Sequence, residues 1–519
     1  MAPRRNYPWF VSGDLNAFFG LLLDNVANLV VLTGILAGVF GFPARFVFTH
    51  MIPGTALGVL VGDLVYTWMA RRLAKRTGRS DVTAMPLGLD TPSTIGIAFV
   101  VLGPVYAETH DPMITWQVGM ATMIFMGVIK LGFSFAGRFI QKMVPQAGLL
   151  GSLAGIGLAL LGVLPLMKLF NLPVVGMVAF GLVLYTLVAR LKLPWRLGKL
   201  PGAAAAVLLG TAVYYLLGEC GLIGAAYKLP ELTFAFTPPV PTLGFVAGLS
   251  RAVDFLPVAI PFGLLTIVGG INVTESARVA GDDYNTRDIL LTEALATLVA
   301  GLTGGVAQST PYIGHPAYKA MGGRAGYTLA CGLFIGVGGA LGFVSSMAAA
   351  IPEAAVVPIL IFVGLEITSQ TFAVCPRAHY PAVALAILPS LAYLVLIQWK
   401  LLLGADPAVL PVDQATDFAV WSALGNGFIL TAMLWGAMCA HLIERRLWQA
   451  AVFLIICAAF SLIGVIHSIV PNGNLYLPWT IAGGLPWRIA AGYSVFAAIL
   501  LAAATSGRGA RRITKREGE

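Results

Sequence analysis

A polar stretch broken by proline occurs twice in this chain, each time where an intact membrane-crossing helix is expected. The first copy is Asp90-Thr91-Pro92-Ser93-Thr94-Ile95-Gly96, and the second is Ser309-Thr310-Pro311-Tyr312-Ile313-Gly314-His315. Proline removes a backbone donor and clashes with the preceding turn, so a helix cannot run through either stretch undisturbed. In hydrocarbon a freed backbone group costs several kcal/mol unless protein, water or a ligand satisfies it. Two matched breaks, one per half, are the pattern of a transporter with internal repeats and a central site.

The flanking sequence sets the membrane context. Of 519 residues, 58% are hydrophobic and 11% charged, too little charge to cover a soluble fold of this size. Apolar runs of about 20 residues, the length that crosses a bilayer as a helix, recur from Leu15 to Ala503. Sixteen spans can be placed. The 60 glycines suit close helix packing in lipid. The basic start, Met1-Ala2-Pro3-Arg4-Arg5, runs into an apolar segment without a small-residue cleavage site, so no cleaved leader is expected. The cysteines Cys220, Cys331, Cys375, Cys439 and Cys457 show no paired spacing and read as packing residues, not as metal ligands or disulfides.

The net charge of +9 is topological. With the N-terminus inside, most Lys and Arg fall on cytoplasmic segments such as Arg71 to Arg79, Arg190 to Lys199 and Arg508 to Arg516. The outer segments hold only Arg45, Lys168, Lys228, Arg251, Lys400 and Arg488. Both termini are therefore expected in the cytoplasm of a bacterial inner-membrane protein, and no nucleic-acid partner is implied.

The proline-rich outer stretch around Pro238-Pro239 and Pro241 divides seven spans from the next seven. An odd number per half inverts one half relative to the other. The expected organisation is a first repeat at 1–220, a connector at 221–250, a second, inverted repeat at 251–445, two further spans at 446–506 and a basic tail at 507–519. Gly20-Leu21-Leu22-Leu23-Asp24-Asn25-Val26 in span one matches Gly263-Leu264-Leu265-Thr266-Ile267-Val268 in span eight, and the broken segments are spans three and ten. The fold class is thus an all-α polytopic membrane protein with a 7+7 inverted repeat.

Ionisable groups inside a membrane are costly and face a cavity or a partner. The candidates are Asp24, Asp63, Asp90, Glu275, Glu293, His315, Lys319 and Glu366. Lys130 and Lys319 read as snorkelling side chains near helix ends. Glu275 and Glu293 read as helix-end partners of Arg278 or Arg287. Asp24 stands mid-span with Asn25 and Asn28, and residues 24 and 28 share a face. The two breaks offer Asp90, Thr91, Ser93 and Thr94, then Ser309, Thr310, Tyr312 and His315. Half-helices starting there would present unpaired N–H donors and partial positive charge. His315 is the group whose ordinary pKa lies near physiological pH. No metal-ligand spacing, Walker loop or nucleophile–base pair is present, so neither an enzyme nor a cofactor is expected.

At these residues the chain resembles the nucleobase/ascorbate permeases. Leu290 to Gly304 is similar to that family's ninth span. The continuation Gln308 to His315 and the turn Gly322-Gly323-Arg324-Ala325-Gly326 resemble its hypoxanthine/adenine/guanine branch, as do Leu256-Pro257 and Val268-Gly269. The resemblance implies a core domain of spans 1–4 and 8–11 and a gate domain of spans 5–7 and 12–14. It also implies a planar heterocycle held between segments three, ten and span eight, and co-transport of H+ or Na+. Homodimers are common in that family, while no interface is legible here. Two family carboxylates are absent, their positions being Thr266 in span eight and Gly314 in segment ten. The expected substrate-binding set is therefore Asp24, Asn28, Asp90, Thr91, Thr266, Ser309, Thr310, Tyr312, Gly314 and His315. Asp24, His315 and Glu275 are the coupling candidates, with Asp24 replacing the span-eight carboxylate from the symmetric position on span one. The alternative reading is a carrier of sulfate, bicarbonate or a carboxylate on the same fold.

Overall fold

A computed structural model of the chain describes residues 7–135, 144–194, 202–227, 229–230, 236–312, 315–403, 412–470, 473, 475–480 and 484–505. The basic tail at 507–519 lies outside the described residues, as does part of the loop from Arg190 to Lys199. Its contacts divide the chain into two compact units, 1–137 with 165–362 and 138–164 with 363–519.

The first unit opens with α1 (Ser12–Gly38) and α2 (Ala44–Thr77), which stops at Gly78 in the left-handed conformation (φ 70°). A short strand, β1 (Leu87–Leu89), interrupts the next segment. Helix α3 (91–109, with a π-helical turn at Ala98–Leu102) follows directly, capped by Asp90 and led by Pro92 at its first turn, where a missing N–H costs nothing. Asp111 caps α4 (Pro112–Phe133) in the same way, accepting from the Met113 and Ile114 amides at 2.7 and 3.3 Å. After α5 (Gln146–Asn171), α6 (Pro173–Val188), α7 (Gly202–Glu219) and α8 (Gly244–Ala252), the pattern repeats. Helices α9 (Leu256–Val279) and α10 (Thr286–Leu302) lead to β2 (Ser309–Pro311), α11 (His315–Ala320) and α12 (Gly326–Ala340). Helix α12 turns by 89° at Gly342 into α13 (Phe343–Ala350), and α14 (Glu353–Val374) follows.

The two strands pair antiparallel, with Leu87 opposite Pro311, Gly88 opposite Thr310 and Leu89 opposite Ser309. The ladder runs one step further at each end, Asp90 N–H to Gln308 O at 2.9 Å and Tyr312 N–H to Pro86 O at 2.8 Å. Each broken segment thus satisfies the backbone groups of the other. Packing around the strands is exchanged in the manner of a two-fold axis through the Gly88–Thr310 pair. β1 lies on α1 and α2, and β2 on α9 and α10; α1 and α2 pack on α12, whereas α9 and α10 pack on α4. Small residues allow α2 and α10 to touch. A Cβ on Gly58 would lie 2.8 Å from the Ala296 carbonyl, and one on Gly54 would lie 2.3 Å from the Gly305 nitrogen.

The second unit carries the rest of α5 and α14, then α15 (Tyr380–Leu403), α16 (Val412–Gly425), α17 (Phe428–Ile443), α18 (Leu447–Leu462) and α19 (Leu485–Thr505). Helices α16 and α17 meet at 66° across Gly427 (φ 72°), where a Cβ would fall 2.4 Å from the Val465 carbonyl. The predicted last two spans are α18 and α19, which pack on each other.

Eight helices among the described residues are long and apolar enough to cross a membrane, or up to ten if each bent pair is one span. Sixteen apolar segments became fewer continuous spans because glycine, proline and paired strands divide the others.

Candidate functional site

The site is built around the strand pair, with α1 as its floor. Asn25 on α1 reaches β1 with its side-chain oxygen, which accepts from the Leu89 N–H at 3.0 Å. Asn28 donates to the Leu89 carbonyl at 3.4 Å and to the Asp24 carbonyl at 3.0 Å. These two amides, three residues apart on one helix face, grip both backbone groups of Leu89. Asp24 is directed at the middle of the strand. A Cβ on Gly88 would lie 3.4 Å from its Oδ2, so glycine there leaves the carboxylate room, and Oδ2 has no hydrogen-bond partner. Tyr312 hydrogen-bonds the Asp24 side chain from the far end of β2.

Asp90 closes the other end. Its carboxylate accepts from the Ser93 N–H at 3.0 Å and from the Gln308 amide at 3.3 Å, so the negative charge that favours a helix N-terminus is supplied by the chain itself. Thr91 and Ser93 are buried in the first turn of α3. Buried polar atoms left without a partner flank the strands: Asp24 Oδ2, Asn28 Oδ1, Thr94 Oγ1 and Gln308 Oε1, and, on the Leu89 face of the pair, Ser309 Oγ. Thr310 is half-buried opposite Gly88.

Behind β2 stands an ion pair that the sequence did not announce. Lys130 on α4 and Glu293 on α10 meet at 2.8 Å, both side chains 0% exposed. The Lys130 ammonium also donates to the Ser309 carbonyl at 3.1 Å and to Thr297 Oγ1 at 3.2 Å. The expected snorkelling of Lys130, and a helix-end partner for Glu293 in Arg278 or Arg287, are corrected by this geometry. The lysine stem lies along α4 and its head finds three acceptors inside the protein, which no bulk-water position could improve on while the helix stays packed. A lysine in an otherwise apolar span was the available signal. Gln308, one residue ahead of Ser309, was the other residue missed.

Other expected members lie elsewhere. Thr266 is buried behind β2, its hydroxyl within reach of the Phe262 and Gly263 carbonyls of its own helix at 3.1 Å each and hydrogen-bonding the Glu293 carboxylate. His315 is fully buried and faces a loop cluster, 3.2 Å from the Thr83 carbonyl and 3.5 Å from Asp282. Asp282 is itself enclosed by Lys319 at 2.7 Å and Arg79 at 3.3 Å. It also accepts from the Thr83 N–H at 3.0 Å. Arg79 bonds the Gly281 carbonyl and clasps Asp81, whose carboxyl it holds below the usual carboxylate range. This cluster ties the α2–β1 loop to the α9–α10 loop. Lys319 belongs to it and does not snorkel. Glu366 is near the surface, bonded by Gln370 at 3.2 Å. Gly314 and the Glu275 side chain lie outside the described residues.

No metal-holding group of three or more His, Cys, Asp or Glu occurs among the described residues. No protein-family model matches the chain, and no curated protein matches it. Solved structures do. The transmembrane domain of a cyanobacterium bicarbonate transporter, BicA, superposes with a TM-score of 0.50 at 17% identity, covering 74% of this chain and 97% of that one. The overall structure of SLC26A9 gives a TM-score of 0.53 at 12% identity, over 84% of this chain and 65% of that one. The murine anion transporter Slc26a9, in its inward-facing state, gives 0.51 at 14% identity, over 75% and 66%. The chain spans about two thirds of the length of the two SLC26A9 chains.

The fold is therefore the 7+7 inverted-repeat transporter fold, with core and gate domains. The family resemblance is corrected: the similar structures named above are a bicarbonate transporter and solute carrier 26 proteins, and none of the three is a nucleobase permease. The reason is visible in the packing. The stretch from Leu290 to Gly304 that carried the resemblance is the small-residue surface on which α2 rests, at Ala296, Ala300 and Thr303. Its motifs record helix packing and not substrate chemistry, and the positions that would hold a heterocycle's ring N–H groups are Thr266 and Gly314.

Proposed function

We propose that the protein is a secondary transporter of a small oxyanion of the bicarbonate class, with the site between α1, β1, β2 and the start of α3. The single observation that carries this reading is the inventory of unpartnered polar atoms around the strand pair. Ser309 and Thr94 hold hydroxyl donors without acceptors, while Asp24, Asn28 and Gln308 hold acceptors without donors. Buried polar atoms in native proteins are nearly always bonded, so a cluster of exceptions awaits a ligand. An oxyanion that bears one O–H group accepts from the first set and donates to the second. A bare halide could do only half of this. The fold shared with a bicarbonate transporter and an anion transporter supports the same class.

Asp24 sets the coupling. A carboxylate beside an incoming anion, with no cation partner, would repel it in a low-dielectric site. A co-transported proton, or a cation, removes that repulsion. Asn28, Asp90, Thr91, Ser309, Thr310 and Tyr312 form the remaining wall, and the Lys130–Glu293 pair holds β2 in place through Ser309. The core of spans 1–4 and 8–11 would move against the gate of spans 5–7 and 12–14, each drawn from both repeats, with both termini in the cytoplasm.

Uptake of labelled bicarbonate, sulfate and formate into proteoliposomes tests this reading, with uracil and xanthine as competitors. Expected are uptake of at least one anion, no competition by the heterocycles, and loss of uptake in Ser309→Ala and Asp24→Asn. Folded protein that carries none of the three would end it.

A further inference from the structure

Asp63 lies on α2, beside β1, and nothing above uses it. Its side chain is fully buried, and its carboxylate oxygens have no side-chain partner, facing only the Leu87 backbone. The space that admits it is made by glycine: a Cβ on Gly332 of α12 would lie 2.8 Å from the Asp63 Cβ and 3.5 Å from its Oδ2. On the residue before it, a Cβ on Gly62 would fall 2.4 Å from the Leu87 side chain of β1. The Leu87 backbone is the hydrogen-bonding group that faces the carboxyl. Strand β1 therefore turns one outer edge to both helices, its Leu89 N–H meeting Asn25 of α1 and its Leu87 backbone facing Asp63 of α2.

The charged and titratable groups around Asp63 include no cation. From its own helix comes Tyr66, from α10 Glu293, from α11 Tyr318, and from α12 Tyr327 and Cys331. β1 and β2 contribute no titratable side chain. Glu293 is already matched by Lys130. A polar line also joins the two aspartates. Asn25, next to Asp24, donates to Cys331 Sγ at 3.8 Å, and Cys331 adjoins Gly332 against Asp63. Cys331 and Tyr318 each interact electrostatically with both aspartates.

A carboxylate in this setting is costly, because nothing offsets its lost hydration. A metal cation would need several oxygen ligands around it, and the neighbours are Leu87, Gly332, Cys331 and tyrosines. A proton needs only the carboxylate itself. We propose that Asp63 is a proton-binding site behind β1, which takes up and releases the proton that accompanies transport. The proton adds to a carboxylate oxygen on uptake and leaves from it on release. With the charge present, the carboxylate draws on the Leu87 N–H and so on β1; with the proton bound, that pull ends. Strand position, and with it the room beside Gly88 and Asp24, thereby follows the protonation of Asp63. The inference rests on the transport reading for its purpose but not for its test.

Infrared difference spectra of the purified protein, alkaline minus acid, decide it. The wild type is expected to show a carboxylic acid C=O band that vanishes in Asp63→Asn, is displaced in Asp63→Glu and persists in Asp24→Asn. In proteoliposomes, Asp63→Asn is expected to retain exchange of labelled bicarbonate at equal pH on both sides, with its pH dependence lost relative to wild type. A band unchanged in both Asp63 variants overturns the proposal, as does a pH profile of exchange identical to wild type in Asp63→Asn. If Asp63→Asn does not fold, the displaced band of Asp63→Glu carries the assignment, and its absence refutes it. Failure of wild-type protein to carry any anion would remove the proposed function while leaving the Asp63 band to stand or fall alone.

Discussion

Two buried polar clusters in this protein are built in opposite ways. Around His467, in the second unit, hydrogen bonds close on one another. Trp435 donates to the Tyr493 hydroxyl at 2.7 Å, and Tyr493 meets His467 Nε2 at 2.7 Å. His467 Nδ1 meets the Ala423 carbonyl at 2.8 Å, which makes Nδ1 the protonated nitrogen and Nε2 the acceptor. Asn426 completes the cluster by donating to the carbonyls of Ser468 and Val470 at 2.8 and 3.1 Å. The result pins the turn after α18 and the helix α19 to α16 and α17. Around β1 and β2, by contrast, Asp24, Asn28, Thr94, Gln308 and Ser309 each keep an atom with no partner. The lesson is that polarity alone does not mark a site in such a chain. The cluster around His467 is closed by its own hydrogen bonds, while the groups that flank the strands are left open, at a cost in stability.

The contrast can be broken by mutation. The largest effect on stability is expected at the ion pair behind β2. Lys130→Met leaves Glu293 buried and unmatched, a loss of about 3–5 kcal/mol. Thermal unfolding in detergent should show that loss, and the double variant Lys130→Met/Glu293→Met should recover much of it. Next comes the closed cluster: Tyr493→Phe strands His467 Nε2 and Trp435 Nε1, a loss of about 1–3 kcal/mol. Anion flux per folded molecule should be unchanged. Asp24→Asn should do the reverse, abolishing flux while the melting temperature holds or rises, because an open carboxylate is replaced by a neutral amide. A drop in melting for Asp24→Asn, without loss of flux, would erase the distinction between the clusters. The smallest effect belongs to the exposed Arg79–Asp81 clasp, where Asp81→Asn should change stability by no more than about 0.5 kcal/mol. Since Arg79 lowers the Asp81 pKa, that contribution is present above the ordinary carboxylate range and fades as pH falls through the lower, folded value. Melting curves taken down an acid series would show it.

Much of this was legible in the residues. The breaks at Pro92 and Pro311 located the two interrupted segments, because a helix cannot run through either proline undisturbed. The matching stretches at Gly20 and Gly263 marked α1 and α9, and the odd number of spans per half required inversion. Asp24 and Asn28 were placed on one face correctly. What sequence could not supply was depth and direction. Lys130 reads as a snorkelling residue until α4 is seen packed on α10, with β2 within reach of its head. His315 looks like part of the second break, yet Asp282 and Thr83 draw it to the loops, and those partners lie in segments that periodicity does not connect. Thr266 sits at the symmetric position to Asp24, but a hydroxyl four residues from a carbonyl on its own helix satisfies itself there. The family resemblance misled for a related reason: Leu290 to Gly304 carries the small residues that any close pairing with α2 requires.

The ladder between β1 and β2 also bears on how the protein is made. Leu87 and Pro311 belong to opposite halves of the chain, and each strand is the hydrogen-bonding partner of the other. When the first half enters the membrane, Asn25 and Asn28 can hold Leu89, but the groups of β1 that face β2 have nothing to bond with. It must wait at the translocation machinery, or stay hydrated, until the second half arrives. Closing so distant a pair is slow compared with forming the helices around it. Insertion and folding are therefore coupled for this chain, completed only when β2 emerges, and a protein truncated before Ser309 would be left with an unfinished membrane interior and not half of this fold.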